Sequence, residues 1–278
     1  VTAVIAVAPG SNYQQLRAGM KAHSKSGSVP LSCAFKLVGD LSMADNGEAA
    51  QIALRFQLYG CWRSTCSHRA TLALRFHDVD FDYHPIDLTA REQESPEFLA
   101  ISPDAQVPVL VFGDSVLTQS LAIVSLIESL AEGRSADLGD RRLFPVDPEA
   151  RARAIAICER VSSYIQPMTL PGAVRRSIRA HFSAEGDTDF DRQAKGFVET
   201  MLISNLGLLD AVFARSDGPF ALGGTVSAAD IFVYPQLLGA GRLGLDLAPF
   251  PHLLAQADAM AELDFVRAAD PMTLPDAP

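Results

Sequence analysis

The sequence predicts a two-part molecule, an α/β domain on a mixed four-stranded sheet followed by an all-helical domain. Three observations predict it. Apolar and polar side chains alternate as they do in strands chiefly between residues 52 and 117, although Leu31 to Val38 could pass for a short strand. Helical-period segments interrupt those strands in the order β, α, β, α, β, β, α, which closes as a layered α/β unit. After a stretch rich in Gly, Asp, Arg and Pro at 134–148, strand alternation nearly vanishes and apolar residues recur at helical spacing.

The elements follow in order. Residues 52–59 alternate as a strand, and residues 65–77 then place Ala70, Leu72, Ala73, Leu74 and Phe76 where a helix would bury them. A second strand spans 81–87, a short helix 96–101, a third strand 109–112, and a fourth 115–117 after the Gly113-Asp114 turn. An apolar helix at 121–130 completes the domain, set at 52–133. The helical domain, 149–278, is expected to carry helices at 149–164, 191–214, 228–238 and 251–267. Residues 1–50 show no sustained period and are expected to be a poorly ordered extension, with Met43 a candidate start of the functional chain.

Composition narrows the function. The 278 residues carry 23 Lys and Arg against 33 Asp and Glu, a net charge of -10, without a sustained basic cluster. Nucleic acids and anionic membrane surfaces need a basic footprint, so a small-molecule partner is expected instead. No apolar run approaches the roughly 18 residues that span a bilayer, and residues 1–9 lack the cationic start of a secretory signal. The cysteines Cys33, Cys61, Cys66 and Cys158 match neither a zinc site nor a disulfide framework. They read as reduced thiols of a cytoplasmic protein that needs no metal.

Four local patterns could carry chemistry. The turn Tyr59-Gly-Cys-Trp-Arg-Ser-Thr-Cys-Ser-His-Arg69 precedes the first helix. There Ser64 or Thr65 would cap free amides, and the helix end could stabilise an anion such as a thiolate; capping alone also accounts for the hydroxyls. In Ala105-Gln-Val-Pro-Val-Leu110, a cis Val107-Pro108 bond would turn the Val107 backbone toward a ligand that adds as a strand, whereas a trans proline would merely begin an edge strand. Thr118-Gln119-Ser120 puts an amide and a hydroxyl at a helix start suited to a carboxylate, or Ser120 simply caps it. Ser227 with Asp230 reads as a capping box of a buried helix, a folding device.

In this order and spacing the four patterns resemble the soluble glutathione transferases, over residues 52–278. The resemblance implies a thioredoxin-like domain with a cis-proline, then a helical domain. Within the superfamily, Trp62-Arg-Ser-Thr-Cys-Ser67 is similar to the Ser-Ser-Cys turn of the zeta class, whose best-known members are maleylacetoacetate isomerases. Ile165-Gln-Pro167, Tyr234-Pro-Gln236, Arg242 with Leu245-Asp-Leu247, and the stretch Pro275-Asp-Ala-Pro278 are similar to that class as well. Thr65 stands where the class usually has a second Ser, Leu170-Pro-Gly172 replaces a more polar run, and Ser67-His-Arg69 is closer to the maleylpyruvate isomerases.

The resemblance implies that glutathione is the cofactor and that Ser64 holds its thiolate, with Thr65 and Cys66 beside it. It further implies Gln93 and Gln166 at glutathione's polar ends, Val107 with Pro108 at its cysteinyl backbone, and Gln119 with Ser120 at its γ-glutamyl carboxylate. Arg242 would clamp a substrate carboxylate, and Arg63 is a candidate for stabilising charge that develops on the substrate. The implied reaction is cis-trans isomerisation of maleylacetoacetate, a dicarboxylic dioxo acid of aromatic amino-acid catabolism, in a homodimer. Alternatives are maleylpyruvate isomerisation, zeta-type conjugation or dehalogenation of α-halo acids, and a silent scaffold of the same fold.

Overall fold

The computed structural model describes residues 55–134, 138–139, 141–167 and 188–278, with side chains given from 192 onward in the last segment. These belong to one unit, Leu54–Pro278. The predicted extension and the start of the first predicted strand lie outside the described residues, as does Leu170-Pro-Gly172.

The first half is built on strand β1 (Phe56–Gly60), whose residues alternate between buried and half-buried as a period of two requires. Helix α1 (Thr65–Phe76) follows, and β2 (Phe81–Pro85) returns parallel to β1. A 3-10 turn (Glu92–Glu94) and short helix α2 (Pro96–Leu99) lead to β3 (Val109–Phe112), antiparallel to β1, and β4 (Ser115–Thr118), antiparallel to β3. The sheet order is β2-β1-β3-β4, the mixed sheet the sequence predicts. Helix α3 (Ser120–Arg134) packs beside α1. Phe56, Leu58, Ala70, Leu74, Leu110, Ile123 and Ile127 fill the space between sheet and helices. Ile86, Phe98 and Val109 cover the opposite face.

Helix α1 is apolar on two faces. Ala70 and Leu74 meet the sheet, whereas Leu72, Ala73 and Phe76 enter the core of the helical half. That core is formed with α4 (Pro148–Arg160), α5 (Thr188–Phe213), α6 (Ala228–Arg242) and α7 (Pro251–Ala261). Every residue of α6 from Ala228 to Leu237 is buried, as in a helix surrounded on all sides. After α4 the chain widens into a π-type turn (Val161–Ile165), closed by the Gln166 N–H donating to Val161 O at 2.8 Å.

Two expectations need correction. The helix predicted over 251–267 breaks: Leu263 is extended (φ -85°, ψ 135°), and the short α8 (Asp264–Arg267) carries Val266 into the core at a new angle. Residues Arg192–Phe213 of α5 are, by length and composition, apolar enough to cross a membrane, contrary to the expectation for the whole chain. In the fold, its Leu202, Leu206, Leu209 and Phe213 are core residues.

The capping box forms. Asp230, fully buried, accepts the Ser227 N–H at 2.9 Å and its hydroxyl at 2.8 Å through Oδ2, and the Ala221 N–H at 2.8 Å through Oδ1. Burial pushes its carboxyl up to about 6 against these donors. Asp230→Ala strands both amides in an apolar interior, so the unfolding free energy should fall by about 3 kcal/mol or more. Equilibrium denaturation of the two proteins measures the difference.

Candidate active site

The site begins at the close approach of β1 to α1. A Cβ at Gly60 would lie 3.0 Å from the Tyr83 ring and 3.2 Å from Ser67, tighter than ordinary contact, so glycine here eases the close approach of the strand end to the helix. The chain then turns, with Ser64 N–H donating to Cys61 O at 2.9 Å and Cys61 N–H to Ser67 Oγ at 3.3 Å. Ser64 caps α1 by accepting the Ser67 N–H at 3.1 Å. A hydroxyl that accepts through a lone pair still has its proton to donate, here at the positive end of a helix.

Beside this turn lies a cleft of about 220 Å³, lined by Cys66, Arg69, Ser102, Asp104, Gln106, Val107, Pro108, Thr118, Gln119, Ser120, Ser162, Gln166 and Pro167. The Val107-Pro108 bond is cis. The β3–β4 ladder starts at Val109, so Val107 lies outside it. Gln119 takes a left-handed backbone (φ 72°), uncommon for a side chain with a Cβ, immediately before Ser120 opens α3.

Arg69 forms the floor. It is 1% exposed, donates to Gln166 Oε1 at 2.9 Å and to Ser120 Oγ at 3.3 Å, and its guanidinium sits 4.7 Å from the Phe232 ring centroid. Burial lowers its pKa while the Cys66 and Cys158 thiols push it back up; an arginine so placed remains a cation. Gln166 Oε1 also accepts from the Thr65 hydroxyl at 2.7 Å and from Gln236 Nε2 at 2.5 Å. Gln236 Nε2 lies 3.3 Å from Thr65 Oγ1 as well.

A second cluster surrounds Trp62. Arg63 stands 5.8 Å and Arg242 6.0 Å from the indole centroid, and Arg242 donates to Arg63 O at 3.3 Å. Arg63 also donates to the Thr89 hydroxyl. Burial first, and the neighbouring Arg63 charge as well, lower the Arg242 pKa, with Cys61 acting the other way.

The fold therefore brings Cys66, Val107, Pro108, Gln119, Ser120 and Gln166 to one cleft, and gathers Arg63, Ser64 and Arg242 about the turn beside it. Thr65 stands next to Ser64, its hydroxyl donating to Gln166 Oε1. Gln93 lies in the 3-10 turn and is not among the cleft-lining residues. Arg69 and Gln236 were missed as site residues. Arg69 falls in helical register with Leu72, Ala73 and Phe76, and a cation on a core-facing register is the sequence signal that could have found it.

With the geometry in hand, the relatives can be placed. Residues 54–129 match the family described as glutathione S-transferase, N-terminal domain, and residues 174–268 the glutathione S-transferase, C-terminal domain. A probable maleylacetoacetate isomerase of Caenorhabditis elegans is 32% identical over 79% of this chain and 94% of its own length. The maleylacetoacetate isomerase of Rattus norvegicus is 30% identical over 80% and 94%. Among solved structures, a maleylacetoacetate isomerase of Methylobacterium extorquens AM1 with bound malonate and GSH has a TM-score of 0.71 at 31% identity, covering 80% of this chain and 99% of that one. A holo maleylpyruvate isomerase described as a bacterial zeta-class enzyme has a TM-score of 0.71 at 29% identity, covering 80% and 100%. The sheet order, the cis-proline beside the cleft and the helical half agree with these matches: the chain belongs to the glutathione S-transferase family. Within it, the chain belongs to the zeta class.

His68, on α1 between Ser67 and Arg69, is 4% exposed and packs edge-on to Tyr234 at 5.9 Å. Burial, and then the Arg242 charge, lower its pKa to about 3. This folded value lies below the ordinary 6.5, so the unfolded chain binds the proton first. The His68 contribution to stability is thus complete above pH 6.5 and lost as the pH falls toward 3. Asp230 works in the opposite sense but is common to any pair of variants. Comparing unfolding midpoints at about pH 7.5 and about pH 5, His68→Phe should show a smaller acid-induced drop than the wild type.

Proposed function

We propose that this protein is a glutathione-dependent cis-trans isomerase that converts maleylacetoacetate to fumarylacetoacetate in aromatic amino-acid catabolism. The observation that carries the reading is the bond from Arg242 to the Arg63 carbonyl. It sets a carboxylate-binding guanidinium against the same turn that presents the Ser64 hydroxyl at the amino end of α1.

The cleft suits a peptide-like anion. Arg69 Nε and Ser162 Oγ are buried polar atoms on its lining without a protein hydrogen bond among the described residues, and a polar ligand would satisfy such groups. Val107 would offer its main chain to the cysteinyl peptide, and Gln119 with Ser120 would take the γ-glutamyl carboxylate at the start of α3. Glutathione, when bound, supplies a thiolate that adds to the cis double bond, allows rotation and leaves again, so the thiol is regenerated. Ser64 would hold the glutathione sulfur by a hydrogen bond at the amino end of α1, two effects that favour a thiolate and lower a thiol pKa. Arg242 orients a substrate carboxylate, and Arg63 stands ready for charge growing on the oxo groups.

Maleylpyruvate is the second reading, supported by Ser67-His68-Arg69 and by the likeness to the holo maleylpyruvate isomerase. His68 does not itself choose between the acids, since it is buried against Tyr234. A homodimer in the cytoplasm belongs to the same proposal. The free thiols of Cys61, Cys66 and Cys158 suit a reducing compartment, and a two-fold dimer is the commonest closed assembly. Analytical ultracentrifugation measures the oligomeric state.

The decisive assay follows loss of maleylacetoacetate absorbance beside maleylpyruvate, with free thiol titrated over many turnovers. Turnover with thiol undiminished is expected, and the faster acid names the substrate. Thiol consumption would mean conjugation to the acid, and no reaction with either acid would end the isomerase reading and leave a transferase or dehalogenase of other substrates, or a silent scaffold. Ser64→Ala should lower kcat/KM by about 100-fold or more. Arg242→Ala should raise KM for the acid about ten-fold, as loss of a charge-assisted carboxylate contact does.

A further inference from the structure

We propose that Asp276 is a positioning residue for the active-site turn, its carboxylate holding the Trp62 amide so that Arg63 and Ser64 keep their places. The inference rests on the functional reading of those two residues and adds a member that lies 214 positions away along the chain.

The turn between β1 and α1 exposes amide groups that the helix itself cannot satisfy. Ser64 N–H finds Cys61 O, and Cys61 N–H finds Ser67 Oγ, both from within the turn and the first turn of α1. Trp62 N–H instead donates to Asp276 Oδ2 at 2.9 Å. A carboxylate on a backbone amide is a charge-assisted bond, stronger than the neutral bonds on either side of it. Trp62 therefore meets two guanidinia around its ring, those of Arg63 and Arg242, and one carboxylate at its amide.

The Tyr83 phenol of β2 is kept protonated well above its ordinary value by burial first and then by the Asp276 charge; Tyr83 Oη and Asp276 Oδ1 are both buried without a hydrogen-bond partner among the described residues. The supporting segment is braced by buried Ala269 and Pro271, by Asp270 Oδ1 accepting the Met272 N–H at 2.9 Å, and by Ala277 N–H donating to Leu274 O at 3.0 Å. Asp276 thus ties the turn to the segment that follows α8. Its removal frees the amide that stands two residues before Ser64.

Trp62 is the sole tryptophan, so intrinsic fluorescence reports on this turn directly. The test compares wild type, Asp276→Ala and Asp276→Asn by acrylamide quenching and anisotropy of Trp62, by calorimetric binding of glutathione, by thiolate ultraviolet absorbance against pH, and by unfolding midpoint. Asp276→Ala should make Trp62 more mobile and more quenchable, weaken glutathione about ten-fold, and raise the pH at which the bound thiol ionises, with little change in midpoint. Asp276→Asn keeps an oxygen acceptor and should recover most of the loss. Unaltered Trp62 mobility and glutathione binding in Asp276→Ala would overturn the inference, as would a loss that tracks the unfolding midpoint and that Asn does not recover. A wild-type protein that binds no glutathione would end the functional reading along with this one, whereas a binding wild type beside an unaltered Asp276→Ala ends this one alone.

Discussion

Three donors from two halves of the molecule converge on one amide oxygen. Gln166 Oε1 accepts from Thr65 and Arg69 of α1 and from Gln236 of α6, and it stands at the end of the π-type turn that follows α4. An amide oxygen offers two lone pairs, so three donors define its position tightly, and in a low-dielectric interior each unmade bond would cost the full desolvation of its donor. Gly239 makes the convergence possible, because a Cβ there would come within 2.9 Å of the Thr65 methyl. The wide turn, the glycine and the glutamine are one device, and its product is a fixed amino end of α1.

A second polar brace lies farther down the same helix. Glu128 of α3 meets His77 at 2.8 Å and accepts the Leu143 N–H at 3.0 Å and the Phe144 N–H at 3.4 Å, with both the histidine and the glutamate side chains almost fully buried. Ala228 N–H in turn donates to Leu143 O at 2.7 Å, so the start of α6 hangs from this brace. Apolar burial supplies most of the cohesion, through Leu72, Ala73, Phe76 and Val124 entering the helical core from the sheet half. The Glu128 brace adds uniqueness, since an alternative packing would have to re-form each of its bonds. The active-site turn is thereby held from below by the Gln166 node, from one side by Arg242 and from the other by Asp276.

Much of this was legible in the chain. The period-two strands, the Gly113-Asp114 turn, the proline before β3 and the Ser227-Asp230 box are signals that act within a few residues, and such signals survive in a single sequence. The failures share a cause. Residues 251–267 keep a helical apolar period throughout, so the break at Leu263 follows from where Val266 can reach the core and not from any local breaker. Nor does any local signal show that the Thr65 hydroxyl meets Gln166, 101 positions later. The apolar richness of Arg192–Phe213 has its explanation in a core that six other elements complete.

By itself, the sequence determined the order of elements and a helix start at Ser64 or Thr65, because these depend on the backbone preferences of neighbouring residues, while the cis form of the Val107-Pro108 bond was implied by the family resemblance. Only the tertiary structure decided that the Thr65 hydroxyl meets Gln166, that Arg69 lies beneath the cleft, and that Arg242 and Asp276 close on one turn. Those outcomes depend on donors and acceptors brought together from 51 to 214 positions apart, and chain separation of that size leaves no local period or motif to read.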